Sequence, residues 1–330
     1  MKKKSVIIIV ILLFFFLLTT GCIKKESIPD EKSYSPYSNG QRYEATISIK
    51  IVNPEKYLNS LDVWSMKPVE WESQQNVSII NVTPIPFIDY IDPDSRNGLY
   101  KWVFTSFSKE SNLTIIEKFY FTSYEISFDI DPNKIGEYNT SSKIYRDFTK
   151  SEEEFQSDHR GIIELANMTT GQEKNPYLKA TKLFYKVAEY MEKEKTAGDN
   201  KGAIYALSNK KGDCGEYSAL FIALCRASGI PTRPIYGFLT NNHEPHMWVE
   251  VYFEGYGWVP ADPYNYDLHP TQYNFGHMPN RIFILSKGNI TMQGEPLENF
   301  GRVRYWVDQK DKTNTNYNFL GDIVISCNKA

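Results

Sequence analysis

The sequence predicts an α+β fold in which a β-rich N-terminal part precedes a part built from helices and antiparallel strands. Between residues 41 and 130 apolar and polar side chains alternate, which is the two-residue period of half-buried strands. After residue 175 the apolar residues recur at three and four positions, as in amphipathic helices. A second alternating run begins at His246 and turns back before Asp262, which predicts a β-hairpin.

The N-terminus has the pattern of an export signal. Lys2–Lys4 precede an unbroken apolar run from Val6 to Leu18, and Gly21-Cys22 follows. This run is shorter than the about 18 to 20 residues that span a bilayer, so a permanent transmembrane helix is the weaker interpretation. Residues 1–21 are therefore predicted to be a signal peptide.

Gly21-Cys22 after small residues resembles the lipobox of exported lipoproteins, whose cysteine carries the lipid. The resemblance implies that Cys22 is lipidated and that the protein is held at the outer face of the cell membrane. An uncleaved signal anchor and a secreted form are the alternatives. Residues 22–40 are polar, which predicts a linker between the membrane and the folded part.

Composition excludes several classes of protein. The formal net charge of -3 gives no basis for binding nucleic acid. If Cys22 carries lipid, Cys214, Cys225 and Cys327 remain, and an odd number leaves at least one thiol free. A disulfide framework is therefore not expected. His159, His269 and His277 show no metal-ligand spacing and there is no EF-hand pattern, so we expect no metal and no cofactor.

Turn signals and the change of period divide the chain. A β-sandwich is predicted over residues 41–132, a mixed connector over 133–171, and a second domain over 172–330. The first helix of that domain begins at Asn175, a capping residue followed by a first-turn proline, and its apolar stripe is predicted to continue towards Gly198.

The next helix separates two cysteines. Asp213 is a suitable N-cap and Glu216 can complete a capping box, so Cys214 is predicted to be the first helical residue. The helix macrodipole and the unpartnered N–H groups there favour a thiolate and can bind an oxyanion. Cys225 lies about three turns further on and is predicted to be a core residue.

A reactive thiol needs a base, and the base needs an orienting group. His246 opens the alternating run, and a hairpin in which Tyr252 pairs with Trp258 brings Asp262 to the same face as His246. This requires a loop with an odd number of residues, because a register shift of one would send Asp262 to the opposite face. His243 is a rival base, and Asp262 before a proline is also a natural turn former.

Three blocks in this order resemble the transglutaminase-like superfamily, whose core is related to the papain-like cysteine proteases: GDCGEYSALFIALCRASGIPTRPIYG, HMWVEVYF and GWVPADP. The resemblance implies a papain-like core in which a helix with an N-terminal cysteine packs on an antiparallel sheet. It implies Cys214 as nucleophile, His246 as base and Asp262 as the residue that fixes the imidazole.

The resemblance further implies that Trp248 and Trp258 pack about these three residues and that Arg233 has a structural role. An oxyanion donor upstream of the cysteine is expected, for which Tyr205 and Asn209 are candidates.

The sequence thus predicts an exported, membrane-tethered enzyme that acts on amide bonds of proteins or peptides through an acyl-enzyme. A peptidase or amidase is favoured over a transglutaminase, since no amine-acceptor feature is evident. The alternative is a non-catalytic cell-surface protein that uses the same fold for binding.

Overall fold

The computed structural model describes residues 34–52, 58–107, 112–195, 200–288, 290–292, 295–297, 304–308 and 320–330. The signal segment, Cys22 and most of the proposed linker lie outside these residues. Within them, no helix is both long enough and apolar enough to cross a bilayer. The first strand begins at Tyr37, inside the span predicted as linker.

Most strands belong to two groups along the chain. The strands of the N-terminal part are β1 (Tyr37–Val52), β2 (Leu58–Lys67), β3 (Gln74–Thr83), β4 (Ile88–Ile91), β5 (Gly98–Phe107) and β6 (Asn112–Ser127). Those that follow are β7 (Glu192–Lys193), β8 (Lys211–Gly212), β9 (Thr232–Leu239), β10 (Pro245–Phe253), β11 (Gly257–Ala261), β12 (His277–Met278), β13 (Ile282–Lys287), β14 (Ile290–Met292), β15 (Glu295–Leu297), β16 (Arg304–Asp308) and β17 (Leu320–Lys329).

The α-helices lie between the two groups or among the later strands. They are α1 (Lys143–Thr149), α2 (Arg160–Thr170), α3 (Pro176–Tyr190), α4 (Gly202–Asn209), α5 (Cys214–Ala227) and α6 (Pro263–Leu268). Asn175 caps α3 by accepting the N–H groups of Tyr177 and Leu178, as its sequence predicts. The helix nevertheless ends at Tyr190, well before Gly198, because Glu192 and Lys193 turn into an extended pairing with β8.

Two antiparallel sheets share one apolar core in the β-rich part. One has the strand order β12-β6-β1-β17 with β3 also on β6, and the other has the order β16-β2-β5-β4. Alternate residues of β1, including Ala45, Ile47 and Ile49, are buried in this core, which confirms the predicted period.

The C-terminal strands also belong to these sheets. β17 pairs with β1 and β16 pairs with β2, although the sequence-based division assigns both to the domain over 172–330. Each covers the edge of a strand that would otherwise expose unpaired backbone groups. The β-rich part is thus not built from residues 41–132 alone.

A third sheet, ordered β11-β10-β9-β13, lies against the helices. Helix α5 is buried on nearly all sides, because it contacts β9 and β10 of this sheet and also α2, α3 and α4. Phe238, Phe283 and Leu285 of the sheet belong to the core of the β-rich part. The helix with the cysteine is therefore held on an antiparallel sheet that is itself packed against the first two sheets.

Candidate active site

Helix α5 begins at Cys214, as predicted. The Asp213 carboxylate accepts the N–H of Gly215 at 3.0 Å, and the Glu216 carboxylate accepts the N–H of Asp213 at 3.0 Å, which completes the capping box. Glu216 also accepts the N–H of Lys201 at 2.9 Å, so this buried carboxylate ties the start of α5 to the segment before α4. These hydrogen bonds hold the backbone directly before and after Cys214, and so fix the position of its thiol.

The two cysteines of α5 have different surroundings. Cys214 is partly exposed and lines a cleft, whereas Cys225 is fully buried in the helical core. Burial raises the pKa of the Cys225 thiol, because an apolar environment disfavours the thiolate. Cys225 is therefore a core residue, as predicted. All three cysteines that the structure describes are free thiols.

The hairpin has the predicted register. Tyr252 pairs with Trp258 and Val249 pairs with Ala261, so the loop over residues 254–256 has an odd number of residues. His246 Nε2 lies 2.7 Å from Asp262 Oδ2, and the two side chains are only 3% and 1% exposed. The same-face arrangement predicted for these side chains is confirmed.

Asp262 makes two kinds of contact with its two carboxylate oxygens. Oδ2 binds His246, while Oδ1 accepts the N–H of Asn265 at 2.9 Å and so caps helix α6. The turn-forming interpretation and the histidine-binding interpretation were alternatives in the sequence. In the structure both are satisfied, because a capping aspartate uses only one oxygen for the helix.

Asn265 is a site residue that sequence reasoning missed. Its Nδ2 donates to Asp262 Oδ2 at 2.8 Å and lies 3.0 Å from His246 Nε2. Since Nε2 must carry its proton to bind the carboxylate, the two nitrogens are both donors that converge on Oδ2. The available signal was a polar residue three positions after an Asp-Pro helix start.

The surroundings of His246 favour its charged form. Burial alone would lower its pKa, but the negative charges of Asp262 and of the Cys214 thiolate outweigh burial and raise the pKa of His246 above its ordinary value. Because Asp262 occupies Nε2, Nδ1 is the ring nitrogen that remains for the Cys214 thiol. The arrangement favours the imidazolium form of His246.

Of the two tryptophans expected near these residues, only Trp248 is there. Its indole stacks on the His246 ring, with the ring centroids 5.8 Å apart and an interplanar angle of 18°. The expectation for Trp258 is wrong, because it pairs with Tyr252, six residues or about 20 Å along β10 from His246. Trp258 instead packs under the guanidinium of Arg233, 4.0 Å from the ring centroid.

The structural role predicted for Arg233 agrees with its contacts. Arg233 donates twice to one oxygen of Glu250, at 2.6 and 2.9 Å, and Lys287 donates to the other oxygen at 2.6 Å. His243, the rival base, lies in the loop between β9 and β10 with Nε2 3.0 Å from the carbonyl oxygen of Cys327. The structure therefore pairs Asp262 with His246 and not with His243.

Cys214 and His246 line a cleft of about 620 Å³. Tyr205 and Asn209, the expected oxyanion donors, are not among its lining residues. Asn200 is, and its Cγ comes within 3.4 Å of the position that a Cβ on Gly215 would occupy. One Asn200 N–H donates to Glu154 at 3.1 Å, which leaves the second N–H of the amide for another acceptor.

Comparisons with known proteins agree with this geometry. Residues 163–263 match the transglutaminase-like superfamily. An uncharacterised protein of Haemophilus influenzae is 23% identical over 254 residues, which make up 67% of this chain and 68% of that protein. The peptide-N(4)-(N-acetyl-beta-glucosaminyl)asparagine amidase of Drosophila melanogaster is 35% identical over 89 residues, 26% of this chain and 13% of the fly protein.

Among solved structures, a proposed cysteine protease from Cytophaga hutchinsonii superposes with a TM-score of 0.66 at 16% identity, covering 89% of this chain and 92% of that chain. At this identity the likeness concerns the fold alone. It agrees with the predicted α+β class and with a papain-like core.

Proposed function

We propose that this chain is a thiol enzyme that cleaves amide bonds of proteins or peptides, or transfers the acyl group of such a bond to another acceptor. Residues 163–263 belong to the transglutaminase-like superfamily, which supports this proposal. The observation that carries the proposal is the His246–Asp262 contact of 2.7 Å beside a cysteine at a capped helix start. A nucleophile, a base and an orienting group in one cleft are the arrangement that amide chemistry requires.

In the first step the Cys214 thiolate attacks the amide carbonyl. A carbon–sulfur bond forms, and the carbonyl oxygen becomes an oxyanion that the backbone N–H of Cys214 and the second N–H of Asn200 stabilise, because the capping box already uses the N–H groups that follow Cys214. The carbon–nitrogen bond then breaks, and the His246 imidazolium gives its proton to the leaving amine. The products are an acyl-enzyme and a free amine, with His246 neutral.

In the second step an acceptor attacks the thioester. His246 removes a proton from water, which gives a carboxylic acid, or from a primary amine, which gives a new amide; the sulfur leaves as thiolate and His246 is again protonated. Asp262 holds Nε2 through both steps, and Asn265 holds Asp262. We favour water as the acceptor, so that the protein is a peptidase or amidase.

The enzyme is further proposed to be exported and tethered to the membrane through a lipid on Cys22. The support is the sequence of residues 1–22, and an uncleaved anchor or a secreted form are the alternatives. Globomycin, which blocks removal of lipoprotein signal peptides, should retain the precursor, and Cys22→Ala should release the protein from the membrane fraction. Normal processing in globomycin together with a membrane-bound Cys22→Ala variant would refute lipid attachment.

The activity is tested with wild-type protein and the Cys214→Ala and Cys225→Ala variants. A casein substrate is incubated with and without a labelled primary amine. New N-termini that depend on Cys214 indicate proteolysis, ammonia release without cleavage indicates amidase action, and amine incorporation indicates transfer. Cys225→Ala is the matched control, since its thiol is buried. If a mechanism-based electrophile such as a peptidyl chloromethyl ketone fails to label Cys214, the enzymatic proposal is wrong and a binding protein is indicated.

A further inference from the structure

The charges that line the cleft are unequally paired. Lys195 Nζ lies 3.9 Å from Glu244 Oε1, and the Asp213 carboxylate is occupied in capping α5. Arg281 also lines the cleft and is exposed, and among the described residues no carboxylate lies within ion-pair distance of its guanidinium. The cleft therefore presents one arginine whose charge the described part of the chain does not neutralise.

The register of the sheet places Arg281 relative to the reactive residues. His246 pairs with Gly237 on β9, and Gly237 pairs with Ile284 on β13, three residues after Arg281. The N–H of Thr240 donates to the Arg281 carbonyl at 2.9 Å, which holds Arg281 in line with β13. Two strand spacings and three residues along a strand put its Cα about 14 Å from that of His246.

This offset corresponds to a few residues of an extended peptide. At about 3.3 Å per residue, 14 Å is about four residues, and the length of the arginine side chain shortens it to between about two and four. A guanidinium binds a carboxylate through two parallel N–H donors, a geometry that a neutral amide cannot match.

We propose that Arg281 is a specificity-determining residue that binds a substrate carboxylate about two to four residues from the reacting amide. The substrate class is a peptide with an acidic side chain at that distance. The inference rests on the proposed function, because it takes the reacting amide to lie at Cys214. Arg281 binds substrate only and takes no part in bond making or breaking.

The test measures binding separately from turnover. Full-length protein carrying Cys214→Ala is titrated with fluorescent, end-blocked nonapeptides that have a central glutamine and one glutamate two, three or four residues to either side. Matched peptides carry glutamine in place of that glutamate. At one position the glutamate peptide should bind about fivefold tighter, which is the upper end of what an ion pair with an exposed side chain contributes.

Variants then assign the preference to one residue. Arg281→Glu should remove the preference for glutamate and favour a lysine at the same position, whereas Arg281→Lys should retain part of it. Arg160→Glu is the matched control, since Arg160 is exposed on α2 and does not line the cleft. It should leave every ratio of dissociation constants unchanged.

Equal affinities for the glutamate and glutamine peptides at all six positions would overturn the proposal, as would the absence of binding up to millimolar peptide. The same peptides are then incubated with protein that retains Cys214. A preference in binding without any turnover would refute the proposed function and leave the subsite standing. Turnover without a preference would refute the subsite alone.

Discussion

The buried carboxylate of Glu250 gives the sharpest test of what stabilises the sheet that carries His246. Glu250 lies on β10, four residues after His246, and its side chain is 8% exposed between Lys287, which is 2% exposed, and Arg233, which is 14% exposed. Burial opposes ionisation of Glu250, but the charges of Lys287 and Arg233 outweigh it and hold its pKa below the ordinary value. The perturbation is Glu250→Gln.

The expected cost follows from the charges left behind. The Glu250→Gln side chain would be similar in shape but neutral, so Lys287 would be left buried with only the exposed Glu72 carboxylate, 3.6 Å away. Removing one partner of a buried ion pair costs about 3 to 5 kcal/mol, and we expect the lower value because Glu72 and solvent near Arg233 compensate in part. For a unit of this size, about 3 kcal/mol corresponds to a fall in Tm of about 5 °C.

The assay is urea unfolding of both proteins at several pH values, followed by tryptophan fluorescence. The pKa of Glu250 is lower in the folded than in the unfolded protein. Its contribution to stability is therefore present above the pKa in the unfolded chain, about 4.3, and is lost as pH falls through the pKa in the folded protein. The difference between wild type and Glu250→Gln should therefore be largest near neutral pH and shrink below about pH 4.3.

Glu164→Gln is the control. Glu164 pairs with Arg160 on α2 at 2.7 Å, but the two side chains are 57% and 91% exposed, so the loss of Glu164 should change the free energy of unfolding far less than Glu250→Gln does. A stabilising role for the buried ion pairs of Glu250 would be refuted if Glu250→Gln cost no more than this control, or if the difference from wild type grew on acidification.

Three further predictions concern single groups. At about pH 6 iodoacetamide should alkylate Cys214 about a hundredfold faster than an ordinary thiol, because an ordinary thiol is almost wholly protonated at this pH. Cys214→Ala should abolish this fast alkylation. Asn265→Ala should slow that alkylation at least about tenfold, because Asp262 loses one of the two donors that hold its Oδ2 in place. Burial raises the pKa of Glu117 to about 8. The stability that its bound proton contributes is therefore complete below the pKa of Glu117 in the unfolded chain and is lost as pH rises through about 8. Glu117→Gln should flatten the fall in unfolding free energy between about pH 5 and 8.5.

The parts of the site that the sequence predicted depend on local rules. A capping box fixes where α5 begins, and with it the position of Cys214. The parity of a hairpin fixes the face of a side chain, so the pairing of Tyr252 with Trp258 was sufficient to place Asp262 beside His246. Neither inference required knowledge of distant residues.

The features that were missed depend on contacts between distant parts of the chain. Asn200 meets Gly215 only because the segment before α4 is bonded to Glu216. The early end of α3 depends on pairing between β7 and β8, which its own apolar stripe does not report. Likewise, the alternation in β17 predicts a strand but does not say that its partner is β1, at the other end of the described chain.

Two helix N-caps hold the side chains of the site in place. Asp213 caps α5 directly before Cys214, and Asp262 caps α6 while binding His246. A capping carboxylate cannot rotate without exposing an unpaired backbone N–H, at a cost of about 1 kcal/mol. The His246–Asp262 contact is therefore stabilised by the folding of α6. For this reason Asp262→Glu should not maintain the contact with His246, even though it keeps the charge. The longer side chain would extend the carboxylate by one methylene and could not satisfy the cap and the imidazole together.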